Sequence, residues 1–312
     1  MKHIGNLIIK DNSDYSNITE ITGELHIYSN AEMPNLTSVG GYLSIYLKGS
    51  LKADNLKSIG GGLYINSKTE LPNLTSVDGD LYIYLKGSLV ADNLKSIGGG
   101  LYINSKTELP NLTSVDGDLY IYLKGSLKAD NLKSVGGDLY IYSKTELPNL
   151  TSVDGDLYIN SKGSLVADFL KDLNYKIIDN SIFVIESEKI KDDIKIYNGY
   201  NIVGIENSMP KKEPCYVAES ESFFAHGKTI KKAIEDLNFK VLSDKLKHEK
   251  INPDTIIDAK YYRIITGACE FGVNSFIKSN NLKKSYRADK LLELLNKHKP
   301  YGFDKFKELL NF

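Results

Sequence analysis

Between Leu7 and Leu170 apolar and polar residues alternate in short bursts that return at a nearly fixed interval. In one burst Leu63 and Ile65 alternate with Tyr64 and Asn66, the period of a strand with one buried face. Leu71, Leu74 and Val77 follow at irregular spacing, as apolar residues do where a short coil turns corners around a narrow core. Asp78-Gly79-Asp80 closes the phrase, and the next burst begins at Leu81. The starts fall at Leu7, Leu25, Leu43, Leu63, Leu81, Leu101, Leu119, Leu139 and Leu157, each 18 or 20 residues after the last. Blocks 63–100 and 101–138 differ at only three of 38 positions, the mark of a recent internal duplication. Eighteen residues are too few for a strand and a helical crossover. Residues 1–172 are therefore predicted to form a parallel β-helix, a solenoid of about nine coils, in which each coil buries its apolar side against its neighbours.

Two corner signals accompany the period. Glycines recur just before the strand (Gly79, then Gly98-Gly99-Gly100), where a corner is expected to need positive φ. Asparagine recurs before the second leucine, at Asn35, Asn55, Asn73, Asn93, Asn111, Asn131 and Asn149. Stacked at one corner, these amides are expected to satisfy main-chain groups of successive coils. The carboxylates Asp78, Asp80, Asp116, Asp118, Asp154 and Asp156 recur at corners too, where turn chemistry explains them. The glycine-rich nonapeptide of calcium-binding solenoids is absent, and no metal site is expected.

The outward strand positions carry the candidate function. The second position of successive coils holds Tyr64, Tyr82, Tyr102, Tyr120, Tyr140 and Tyr158; the fourth holds Tyr28, Tyr46, Tyr84, Tyr122 and Tyr142. Eleven phenol rings are thus placed on one sheet surface, in columns about 4.8 Å apart. Two positions further on, every coil from the third has a lysine, among them Lys86, Lys106 and Lys124. Tyrosine gives large, rigid, amphipathic contact area, and aromatic residues are enriched at interfaces. This face is read as a wall that binds another protein. Stacked rings also stabilise a parallel sheet by neighbour contact, and the C-terminal region or a second copy of the chain could cover them.

After Leu170 the pattern changes. Residues 173–210 read as capping strands and a linker: 175–205 alternates like several strands closing the open end of the solenoid, and the run NSMPKKEP from Asn207 reads as the linker. Residues 211–312 read as a small α/β module: a hairpin at 215–225, a helix capped by Thr229, and helical text from Asp254 with a break at Thr266-Gly267. His226-Gly227-Lys228-Thr229 lacks the glycine of a phosphate loop, since Ser222 stands five residues before Gly227. Gly227 reads as a turn glycine ending a strand, and anion binding at this helix start is the weaker option.

The repeat phrase N-L-x-S-[VI]-x-G-x-L-x-I resembles the L-domain repeats of receptor ectodomains and related leucine-rich-repeat solenoids, over roughly residues 5–170. That resemblance implies architecture and not activity. In the C-terminal module the phrases A-H-G-K-T and Y-R-x-I-T-G-A-C-E-F-G resemble a module of phage- and prophage-encoded repeat proteins. This implies a viral protein acting in the cytoplasm of a bacterial host, with an inhibitor of a host defence protein as the economical biology.

Charge refines the picture. The net charge is −1, yet residues 226–312 hold 18 Lys and Arg against 11 Asp and Glu, an excess of +7. Nucleic acid, DNA or RNA, is therefore an alternative partner for this module. Cys215 and Cys269 lie 54 residues apart with no metal-ligand spacing, so neither a disulfide scaffold nor a zinc site is suggested. No apolar run is long enough for a secretory signal or a membrane span, and a cytoplasmic protein without membrane contact is expected. The five histidines lack positioned partners, and no cofactor fingerprint is present. The chain is read as a non-enzymatic binding protein; an enzyme with a site near His226 and Lys228 is the weakest alternative.

Overall fold

The computed structural model describes every residue except Asn12, His248, Glu249, Cys269 and Phe312, and only the backbone of 245–247, 270 and 271. It divides into two units, Met1–Ser187 with Asn198–Pro214, and Glu188–Tyr197 with Cys215–Phe312. The fold is mainly β: a parallel solenoid of nine turns, with a small C-terminal α/β module.

Each solenoid coil has three short sides. The phrase L-x-I forms one nine-stranded parallel sheet running from Leu7–Ile9 to Leu157–Ile159. The two-residue S-[VI] strands form a second wall, and the segments around K-T-E and S-L-[VK] form two four-stranded sheets on the third. Register is strict, with Leu63 paired to Leu81, Tyr64 to Tyr82 and Ile65 to Ile83. The pleat therefore sends every Leu and Ile of the phrase inward, where Leu63, Ile65, Leu71, Leu74 and Val77 are at most 1 % exposed. A one-residue slip would turn this whole set outward, which is why the register is fixed.

The two coil lengths differ on the third side. Eighteen-residue coils place Thr69, Thr107 and Thr145 in the core, each hydroxyl donating to the carbonyl two residues before. Twenty-residue coils put Leu51, Leu89, Leu127 and Leu165 there and add a tight turn, in which the N–H of Gly87 donates to Tyr84 O at 2.8 Å.

The asparagine ladder forms at all seven positions. Asn73 Nδ2 donates to Asp54 O, and Asn111 Nδ2 to Asp92 O, each at 2.7 Å, in the coil before. The corner aspartates also tie coils together: Asp80 accepts from Gly100 N, Asp118 from Asp138 N and Asp138 from Asp156 N, at 2.7 to 2.8 Å.

The corner glycines correct the expectation of positive φ. Among the described glycines only Gly5, Gly267 and Gly302 have it. What excludes a side chain at the corners is the coil below. A Cβ at Gly98 would lie 2.4 Å from Asp78 O, and one at Gly87 would lie 2.2 Å from Ile65 O.

The last coil is closed by main-chain bonds, Asn180 O accepting from Ile159 N and Thr151 O from Ser208 N. Tyr175–Ile178, Ser181–Lys191, Ile194–Glu206 and Met209–Ser220 are consecutive strands. The linker expected at NSMPKKEP is instead a hairpin. Asn207 and Ser208 are its two-residue turn, with φ of 51° and 65°, and Met209 opens the next strand. Such left-handed pairs match the twist of the flanking strands, and Asp179-Asn180 and Asp192-Asp193 repeat the device. Residues 209–214 lack the second neighbour that 216–220 have in Phe223–Gly227, so Pro210 and Pro214 fit an edge.

In the second unit, helix α1 (Ile230–Lys247) packs Ala233 and Leu237 onto Ala218 and Ala225 of the hairpin. A second cluster gathers α2 (Ala259–Thr266), α3 (Glu270–Ser279), α4 (Ala288–His298) and α5 (Phe303–Glu308) around Tyr262, Ile265, Leu291, Leu295 and Phe306. The expected break falls at Gly267, in the left-handed region at the end of α2.

Candidate functional site

The nine-stranded sheet presents its second and fourth positions outward, and the rings stand over one another. Tyr64 and Tyr82 stack at 5.1 Å between centroids, and Tyr82 and Tyr102 at 4.3 Å with planes 5° apart. The column continues through Tyr120, Tyr140 and Tyr158 at 4.9 to 6.5 Å. In the fourth-position column Tyr28 stacks on Tyr46 at 4.1 Å, and Tyr142 crosses to Tyr120, its hydroxyl 3.0 Å from that of Tyr120. Tyr122 lies 4.4 Å from Tyr120. Tyr46, Tyr64, Tyr82, Tyr102, Tyr120, Tyr122, Tyr140, Tyr142 and Tyr158 are half-buried, while Tyr84 is exposed.

This crowding holds the phenols in their neutral form. Burial, followed by the neighbouring phenol and the Asp80 carboxylate, pushes the Tyr82 hydroxyl up. The bond to Asp138, at 2.8 Å, is the main reason that Tyr140 is pushed up to about 12. Tyr120 is raised mainly through its bond to Tyr142.

The face is not uniform. Where Ser44 and Asn66 replace tyrosines, the rings of Tyr46, Tyr64 and Tyr84 frame a notch of about 200 Å³ floored by Ser44. The lysine column also divides by coil length. Lys68, Lys106 and Lys144 of the 18-residue coils pair with Glu70, Glu108 and Glu146, at 2.6 to 3.1 Å. Lys48, Lys86, Lys124 and Lys162 of the 20-residue coils are absent from the ion pairs of the described residues.

Sequence reasoning passed over one feature. In the turn Tyr84-Leu85-Lys86-Gly87 the residue after the tyrosine sits at the tip, and Leu85 is 52 % exposed; Leu47 and Leu123, in the equivalent turns, are each 59 % exposed. The signal was available: a leucine recurring every 38 residues at a phase that the core pattern does not use. The three tips are two coils apart, about 9.6 Å at the spacing of stacked strands.

At His226-Gly227-Lys228-Thr229 the helix start is occupied by its own residues. Thr229 Oγ1 accepts from Lys232 N at 3.2 Å, and Thr229 O accepts from Ala233 N. Gly227 ends the strand Phe223–Gly227, as expected, but without positive φ: a Cβ there would stand 2.4 Å from Ala233 N, so the residue is small because the helix sits against it. Lys228 is exposed.

Several of the module's cations pair with acidic neighbours. Lys231 pairs with Glu235, Lys232 with Asp236, Arg287 with Asp289 and Lys290 with Glu293. No metal-ligand cluster occurs among the described residues, and no helix among them is long and apolar enough to cross a membrane. Cys215 is half-buried; Cys269 lies outside the described residues. No protein-family model, curated protein or solved structure matches the chain.

Proposed function

We propose that the chain is a non-enzymatic binding protein that engages another protein through the tyrosine face of its solenoid. One observation carries this reading: beside rings that already stack on each other, the 20-residue coils hold Leu47, Leu85 and Leu123 more than half exposed at turn tips, each followed by a lysine free of ion pairs. Apolar tips beside aromatic rings and uncompensated cations match the composition of interface cores and rims. An acidic partner surface with apolar pockets about 9.6 Å apart is the complement. The resemblance of the C-terminal phrases to phage- and prophage-encoded proteins makes a cytoplasmic protein of a bacterial host, a defence protein first, the partner to seek. A nucleic-acid role for the basic module is the lesser reading, because it rests on the excess of +7 alone.

The test is affinity capture from bacterial lysate with wild type and with Tyr82, Tyr102 and Tyr120 all changed to Ser. A partner retained by wild type and lost by the variant, with an unchanged far-ultraviolet spectrum, supports the proposal. A partner retained equally by both removes it. Capture that falls steeply with salt and disappears on nuclease treatment supports nucleic acid instead.

A further inference from the structure

The C-terminal module contains a cavity of about 320 Å³ that the tyrosine face does not involve. Its walls are Tyr262 of α2, Val273, Phe276 and Ile277 of α3, and Leu291 and Leu295 of α4. Two of the wall hydroxyls are already used: Tyr262 donates to Tyr301 O at 3.1 Å, and Tyr286 accepts from Lys283 N at 2.9 Å; those of Ser285 and Tyr301 belong to exposed residues of the lining. Among the described residues the interior is therefore carbon almost throughout. Ala259 and Ala268 stand on the lining where larger side chains would close it. A void of this size is no ordinary packing gap; it matches the lower end of small-molecule pockets, roughly 300 Å³ and above, and an unfilled apolar wall forfeits dispersion contact along its whole length.

The mouth has a polarity. Lys283 and Lys284 line it, both exposed and both absent from the ion pairs of the described residues. Asp258, also on the lining, has its carboxylate engaged by Tyr261 N at 2.7 Å, capping α2. An apolar chamber with two unpaired cations at its entrance fits an amphipathic anion. The chamber's volume, at the lower end of the range for small-molecule pockets, suits a medium-length hydrocarbon body.

We propose that this cavity is a binding site for a medium-chain carboxylate, its hydrocarbon tail among Val273, Phe276, Leu291 and Leu295 and its head group at Lys283 and Lys284. Titration calorimetry on the full chain with decanoate, decanol and decylammonium tests it. Decanoate is expected to bind saturably and about tenfold more tightly than decylammonium. K283Q/K284Q, two surface changes that leave the core intact, is expected to erase that preference while tail binding persists. Ala268→Leu, which fills the chamber, is expected to lower decanoate affinity about tenfold or more. Should that variant fail to fold, the lysine pair still decides.

The proposal is overturned by absence of saturable binding, by equal affinity for decanoate and decylammonium, or by a preference that survives K283Q/K284Q. It is also overturned if self-association of the chain competes with decanoate, since the occupant would then be a second copy.

Discussion

Gly87→Ala separates two explanations of the repeat's glycines by the sign of its effect. If Gly87 were only a flexible turn residue, alanine would stabilise the fold by about 0.4–1 kcal/mol, because the unfolded chain loses freedom and the native φ is not left-handed. The coil below predicts the opposite. The new methyl would lie 2.2 Å from Ile65 O and 2.9 Å from Ile65 C, well inside contact distance. Neither coil can simply rise, since the ladder fixes their separation at about 4.8 Å. Overpacking of this kind costs about 1–3 kcal/mol. Ile65 O also accepts from Tyr84 N at 3.0 Å, and loosening that bond adds about 0.5–1.5 kcal/mol. After the entropic gain is subtracted, a net loss of about 0.5–4 kcal/mol remains.

The assay is urea unfolding followed by circular dichroism, with Cm and m fitted together. A lowered Cm at constant m is expected, and Gly125→Ala should behave the same way, since its Cβ would meet Ile103 O at 2.3 Å. A neutral or raised Cm for both variants would refute the crowding argument and with it the claim that inter-coil contact selects glycine here.

Adjacent residues give a sharp contrast: Asn111→Ala, removing one bond to Asp92 O, is expected to cost about 1 kcal/mol, whereas Leu112→Ala, beside it and fully buried, should cost about 2–5 kcal/mol. Equal losses in the same urea assay would contradict the assignment of ladder and core. Alkaline titration forms a second test. Tyr64, Tyr82, Tyr102, Tyr120 and Tyr140 are all raised above the free phenol value, so the folded state keeps protons that the unfolded chain releases near pH 10. Their contribution is intact below about pH 10 and is lost as pH climbs toward about 12 and beyond, so Tm should fall across that window while phenolate absorbance rises. Ionisation of all 21 tyrosines in one step near pH 10 without loss of structure would show that these rings are not held neutral.

The solenoid was legible because its determinant is a period. Strand alternation, the inward set and the outward rings all follow from one phase, and the phase is written in every coil. The asparagine ladder was legible for the same reason. Whatever depends on a neighbour outside the local phrase was not. Gly98 looks like a turn residue in sequence, and only the carbonyl of Asp78 below it reveals the crowding. Asn207–Pro214 looks like a linker because two prolines and two lysines dominate it; a strand at a sheet edge tolerates both. The lysine column looked uniform, although Glu70, Glu108 and Glu146 neutralise one half of it from two residues away. The cavity of the module arises from three helices meeting, and no single helix encodes it.

The tyrosines alone do not separate a binding face from a structural one, since each ring both stacks and faces outward. A stacked aromatic pair is worth about 0.5–1.5 kcal/mol to the fold, so Tyr→Ser changes burden stability and binding together. The leucine tips separate the two. Leu47, Leu85 and Leu123 occupy the position after the fourth residue of the phrase, where Ser161 stands in the last 20-residue coil, before the same Lys-Gly pair. The turn there is the same, with Gly163 N donating to Asn160 O at 2.7 Å as Gly87 N does to Tyr84 O. Serine therefore suffices for the turn, and the fold gives no reason for leucine. Changing Leu47, Leu85 and Leu123 to Ser should leave stability within about 0.5 kcal/mol per site. Burying three half-exposed leucines against a partner is worth about 1 kcal/mol each, so the same variant should weaken partner binding roughly a hundredfold. Calorimetry against the captured partner, beside urea unfolding of the free chain, reads both quantities. A variant that loses stability but keeps its affinity would make the tips part of the scaffold and leave the face without a recognition element that the fold does not already require.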